Sequence, residues 1–128
     1  MKTHPAVPAL FVVAAIYEGL LGVAFLFASG AVFEWYGVTP PNHPGYVQFP
    51  AAVLITFALM FIAVAMDPVR NRNLIPYGIL LKVSYCGVSG YHWAATGIPG
   101  MWKPFFVFDL VFLILFAWAW TALGKEKA

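Results

Sequence analysis

Residues 8–28 read PALFVVAAIYEGLLGVAFLFA, a run whose one charged side chain, Glu18, stands in its middle. Its length matches the roughly 20 residues that an α-helix needs to cross bilayer hydrocarbon. Three further stretches, 47–66, 74–96 and 104–123, have the same character, and together the four use up most of the chain. The expectation is an all-α integral membrane protein: a single transmembrane domain over residues 1–128, with four helices packed up-down-up-down.

Composition points the same way. Of 128 residues, 62% are hydrophobic and 9% charged, and the mean hydropathy is +0.84. A small soluble domain has ample surface and needs charge to cover it, whereas lipid accepts apolar surface and demands only internally bonded backbone. The formal charge of +2 comes from too few residues to build a nucleic-acid surface. Cys86 is the only cysteine, which excludes an intramolecular disulfide and a cysteine-cluster metal site. Lys2 ahead of an apolar run, with small residues at 28–31, imitates a cleavable signal, but the run is too long and Glu18 is out of place in one.

Orientation follows from the basic residues in the short connections. Lys2, Arg70, Arg72, Lys125 and Lys127 fall on one side and Lys103 on the other, which puts both termini in the cytoplasm of a multi-pass protein of the inner cell membrane. Trp35, Tyr36, Tyr46, Trp93 and Trp102 then make an outer aromatic belt, with Tyr77, Trp118 and Trp120 at the inner edge. The long outer connection, 29–48, has room for a short interfacial helix over 31–36 before Pro40, Pro41 and Pro44 force an extended path.

An ionisable residue inside a span is a functional candidate once its partner can be named. Glu18, Lys82 and Asp109 qualify, with His92 near the outer end of the third stretch as a fourth. At about 1.5 Å per residue, Lys82 lies about 12 Å and Glu18 about 15 Å from the cytoplasmic edge, and Asp109 about 7 Å below the outer edge, near His92. The pairing this suggests is Glu18 with Lys82, as a buried ion pair, and Asp109 with His92 or Tyr85. On the third helix Gly78, Lys82, Tyr85, Ser89 and His92 share one stripe; on the first, Ala14, Ala15, Glu18, Gly22 and Ser29 do. The plainer alternatives are that Lys82 extends its stem to the cytoplasmic edge, that the ion pair only fixes helix register, and that Asp109 and His92 are satisfied near the outer edge. The chain has no two intramembrane histidines for a haem, no zinc-ligand spacing, no phosphate-binding glycine loop and no serine nucleophile motif.

Asp67-Pro68, Arg70, Arg72, the stretch 78–82, Gly97-Ile98-Pro99 and Asp109-Leu110-Val111-Phe112 give residues 67–116 a resemblance to the small four-helix bacterial membrane proteins of the DoxX-like group. The resemblance implies four spans, a polar core that includes Lys82 and Asp109, and a link either to quinone or thiosulfate redox systems or to the assembly of other proteins. Glu18 departs from it, since members often carry an arginine near the start of the first helix.

Three functions are compatible with this reading. The first is an accessory or scaffold subunit of a larger membrane complex, with a membrane-protein partner or further copies of itself around it. The second is binding of a quinone or similar amphiphile in the outer half, with Tyr85, Ser89, His92 and Asp109 as hydrogen-bonding groups and Phe105 and Trp93 as walls. The third is proton or small-solute transport through Glu18, Lys82 and Asp109. No catalytic residue and no metal site is assigned, and quinone is the one cofactor considered.

Overall fold

The computed structural model describes residues 4–127 and the side chains of residues 4–125. Lys2 and the side chain of Lys127, both used above to orient the chain, lie outside the described residues. Within them are five α-helices and no strand: α1 (Ala6–Phe27), α2 (Ser29–Tyr36), α3 (Gly45–Met66), α4 (Ile75–Ala95) and α5 (Trp102–Lys127), with a 3-10 turn at Arg72–Leu74 leading into α4.

Proline decides where the helices begin. Pro5 and Pro44 are the N-caps of α1 and α3, Pro76 lies in the first turn of α4, and Pro104 is the third residue of α5. First-turn positions have no intrahelical acceptor for their N–H, so a missing donor costs nothing there and the ring presets φ. This is why α1, α3 and α5 each start two residues before the apolar stretches read from sequence, at 6, 45 and 102. Pro50 lies deeper, inside α3, and removes the bond that would reach the Tyr46 carbonyl. The stops are equally local. Gly37 ends α2 at φ +66, a left-handed conformation that glycine adopts without a Cβ penalty. Pro68 denies Asp67 the helical region and closes α3.

The helices form two close pairs. In the first, α1 lies against α3 at Gly22, where a Cβ would sit 2.8 Å from the Ala51 carbonyl oxygen and 2.7 Å from Ile55. Buried Ala14, Ala15, Ala51 and Ala58 continue this face, the small-residue packing that lets helix backbones approach in lipid. In the second, α4 lies against α5, with Gly90 beside the Phe106 ring. Between the pairs the backbones stay apart and large side chains bridge. At the end where α1 begins and α3 finishes, Phe11 stacks on Phe116 at 4.9 Å and Phe61 meets Phe116 at 5.2 Å, with Val7, Val64, Ile75, Ala119 and Leu123 around them. Gly78 leaves the space into which the Phe61 ring fits. α2 follows α1 after Ala28 alone and folds back on it through buried Phe33, edge-on to Phe25.

Three helices, α1, α3 and α5, are long and apolar enough to cross a membrane. Less than a third of each spanning window is buried, so large apolar side chains such as Leu20, Leu59 and Ile114 face outward. The fourth expected span differs. At 21 residues α4 is long enough, but Lys82, Ser84, Tyr85, Ser89 and His92 bring it below the apolarity of the other three. Its charged and several of its polar groups are turned inward, with Lys82 and Ser89 buried, while Leu80, Val83 and Val88 are exposed.

Candidate functional site: a buried cluster of two carboxylates and one ammonium

Lys82, Glu18 and Asp109 come together where the two helix pairs meet. Each stands on the inward face of its helix: Glu18 on the small-residue face of α1, Lys82 one turn after Gly78 on α4, and Asp109 two turns into α5. The Lys82 Nζ donates to Glu18 Oε1 and, at 3.0 Å, to Asp109 Oδ1. Burial is close to complete, with relative exposures of 0% for Lys82, 1% for Glu18 and 7% for Asp109. The rings of Tyr17 and Phe112 flank the ammonium, each with its centroid 5.2 Å from Nζ. A desolvated cation between ring faces gains on the order of 2 kcal/mol per good contact. The Lys82 ammonium of α4 is therefore held by two carboxylates and two rings, one of each from α1 and one of each from α5.

The arrangement differs from the pairing inferred by depth. Glu18 and Lys82 do meet, but Asp109 joins them instead of pairing with His92 or Tyr85. Two physical reasons account for this. α5 begins at Trp102, two residues early, which moves Asp109 about 3 Å further inward. The lysine stem, about 6 Å long, then spans the remaining difference in level by reaching toward Asp109 and not toward the nearer helix end.

The other candidate residues do not converge on a ligand. The Tyr85 hydroxyl donates to the Trp102 carbonyl at 3.0 Å, and the buried Ser89 hydroxyl donates to the Tyr85 carbonyl at 2.5 Å. Both bonds tie helix ends together or close on the helix itself. His92 lies exposed in the last turn of α4 with its ring beside Tyr91. Trp93 packs on Phe106, and Phe105 on Phe25. Two cavities lie elsewhere: an apolar groove of about 360 Å³ between α1 and α3 lined by Val12, Ile16, Ile62 and Met66, and a polar one of about 310 Å³ at the α3–α4 turn. No group of three or more His, Cys, Asp or Glu side chains suited to a metal exists among the described residues.

Two members of the cluster's surroundings escaped the sequence reading. Phe112 was open to discovery, since it lies three residues after Asp109 and so on the same face of α5. Tyr17 carried no signal, because it precedes Glu18 by one residue and helical spacing alone turns it aside. Its hydroxyl is buried and turned toward the Asp109 carboxylate, without reaching the geometry of a regular hydrogen bond.

Comparison with family models, curated proteins and solved structures finds no match to this chain. Its fold and cluster define a class only: a helical protein with membrane-spanning capacity and its ionisable groups turned inward.

Proposed function

We propose that the chain is a four-span bundle of the inner cell membrane, of the DoxX-like kind, with both termini cytoplasmic and α4 as its fourth span. Inward-facing charge with outward-facing Leu80, Val83 and Val88 supports α4 as a span. Arg70, Arg72 and Lys125 at one end against Lys103 at the other support the orientation.

The working part in this reading is the Glu18–Lys82–Asp109 cluster, and the function it supports best is proton-coupled: movement of a proton, or of a small solute with it. One observation carries the proposal. Lys82 is shared by two buried carboxylates, one from each helix pair. Two carboxylates and one ammonium sum to a net charge of −1, and an uncompensated buried charge is expensive. One further proton makes the cluster neutral while Lys82 keeps both partners. Loading and unloading that proton acts on the charge contact between the α1–α3 pair and the α4–α5 pair, so it is coupled to how the pairs sit together. Four helices enclose little water, so the transporting unit is an assembly of copies.

Purified protein in liposomes with an entrapped pH-sensitive dye tests this. Under an imposed pH difference, wild-type vesicles dissipate the gradient faster than empty ones, and Glu18→Gln or Asp109→Asn returns the rate to that of empty vesicles. A wild-type rate equal to the empty control removes the proposal.

The accessory-subunit reading stands second, on one observation: outward-facing Leu20, Leu59, Ile114 and their neighbours leave all the long helices free to contact another membrane protein. Mild extraction from native membrane that recovers a stoichiometric larger protein supports it; recovery of this chain alone counts against it. The quinone reading is not carried forward, because the Tyr85 and Ser89 hydroxyls are already bonded to backbone carbonyls.

A further inference from the structure

At the end of the molecule opposite Lys103, the α3–α4 turn and the last turns of α5 enclose a cavity of about 310 Å³ lined by Val69, Arg70, Arg72, Asn73 and Trp120. Arg72 is held in place there. Its Nε and Nη2 donate to the Trp120 carbonyl oxygen at 3.0 and 2.8 Å, and its guanidinium carbon lies 3.6 Å from the centre of the Trp120 ring. Gly124 makes this seat possible, since a Cβ at that position would lie 2.7 Å from Arg72 Nη2. A guanidinium has five N–H donors, so three remain for something in the cavity.

The turn itself is fixed. Asn71 donates to the Ala63 carbonyl at 2.8 Å, and the Asp67 carboxylate accepts the Arg70 backbone N–H at 3.2 Å. Asp67 thus spends itself on the backbone, and among the described residues no carboxylate lies within ion-pair distance of either guanidinium. The site combines two cations without a counter-ion among the described residues, an amide donor in Asn73, and an indole beside an apolar Val69. A phosphate with an apolar attachment fits that combination: Arg forks bind phosphate oxygens, and the indole sits at the depth where a headgroup meets its chains. A cavity of this size is near the lower limit for small-molecule sites, right for a headgroup and too small for a whole amphiphile.

We propose that this cavity binds the phosphate of an anionic phospholipid, with Arg70 and Arg72 on its oxygens and Trp120 and Val69 against its glycerol end. The proposal rests on the membrane reading above and is independent of the proton-coupled one. It makes the cytoplasmic edge of the protein a specific lipid site as well as a positively charged surface.

The test is native mass spectrometry of the full chain in mild detergent doped with dioleoylphosphatidylglycerol or with dioleoylphosphatidylcholine. The phosphatidylglycerol adduct is expected to be retained and the phosphatidylcholine adduct lost. Arg70→Gln, at an exposed residue, should weaken retention about fivefold, and Arg70→Gln with Arg72→Gln by more. Gly124→Ala should weaken it without changing charge, by displacing the end of the Arg72 side chain. Lys125→Gln, at an exposed residue on the same end, should leave it unchanged. Should the double variant not fold, the single Arg70 and Gly124 variants decide the matter on their own. Equal retention of the two lipids, an equal effect of Lys125→Gln, or displacement of the lipid by 20 mM inorganic phosphate would each overturn the proposal, the last by making free phosphate the ligand.

Discussion

Two clusters bridge the helix pairs, and they do so in opposite ways. Near the ends of α1 and α3, Phe11, Phe61 and Phe116 fill the gap with rings. About two turns further along α1, the same gap is closed by Glu18, Lys82 and Asp109. In water the rings would dominate, through the hydrophobic effect. Lipid chains are as apolar as phenylalanine, so there the rings contribute packing alone, while the charges have no favourable alternative outside the protein. The comparison teaches that in this fold the polar cluster specifies how the pairs meet and the aromatic cluster makes the meeting tight.

The largest effect should come from Lys82→Met. It keeps the volume of the stem and strands two buried carboxylates, for a loss of roughly 3–5 kcal/mol. Equilibrium unfolding in mixed detergent micelles measures this. A loss no larger than that of an exposed variant such as Leu80→Ala would mean that the cluster is wet and the comparison with the rings is void.

Phe116→Ala should rank second. Phe116 touches both Phe11 and Phe61, and its removal leaves a hole that the neighbouring helices cannot fill. In soluble cores this change costs roughly 3–5 kcal/mol, part of it from lost transfer out of water. With that part absent in lipid, about 2 kcal/mol is expected in the same assay. A cost equal to or above that of Lys82→Met would reverse the order of the two clusters.

Part of this difference is legible in the sequence. Glu18, Lys82 and Asp109 announce themselves because a charge in an apolar run has to be explained. Their levels follow from counting along each helix. The count misplaced Asp109 because helix starts were uncertain by two residues and because lysine can reach in either direction along its stem. The polar stripe on α4 was legible as a stripe, and Gly78, Lys82 and Ser89 are buried on it, but His92 at its far end is exposed. Spacing gives the face of a helix and not the length over which a neighbour covers it. The Phe11–Phe61–Phe116 cluster and the seat of Arg72 on Trp120 were illegible, since each joins residues tens of positions apart with no local pattern. Arg72 read only as a topology signal and Trp120 only as a belt residue.

The smallest effect, and the sharpest one, should come from Asp109→Asn. The amide oxygen can still accept from Lys82 Nζ, and Glu18 remains as the counter-charge, so the cluster becomes one carboxylate against one ammonium. A neutral acceptor in place of a charged one costs under about 1 kcal/mol when the cation keeps another partner. Stability should therefore hardly change, although the surplus carboxylate that sets the net charge at −1 has gone. That separation distinguishes a cluster built only to join helices from one that also carries a proton. In the first case Asp109→Asn is silent in every assay; in the second it is silent in unfolding and abolishes dissipation of the pH gradient. A large loss of stability, approaching that of Lys82→Met, would show that both carboxylates are needed to hold the one ammonium. The cluster would then have no proton to spare, and its difference from the aromatic cluster would be one of chemistry and not of function.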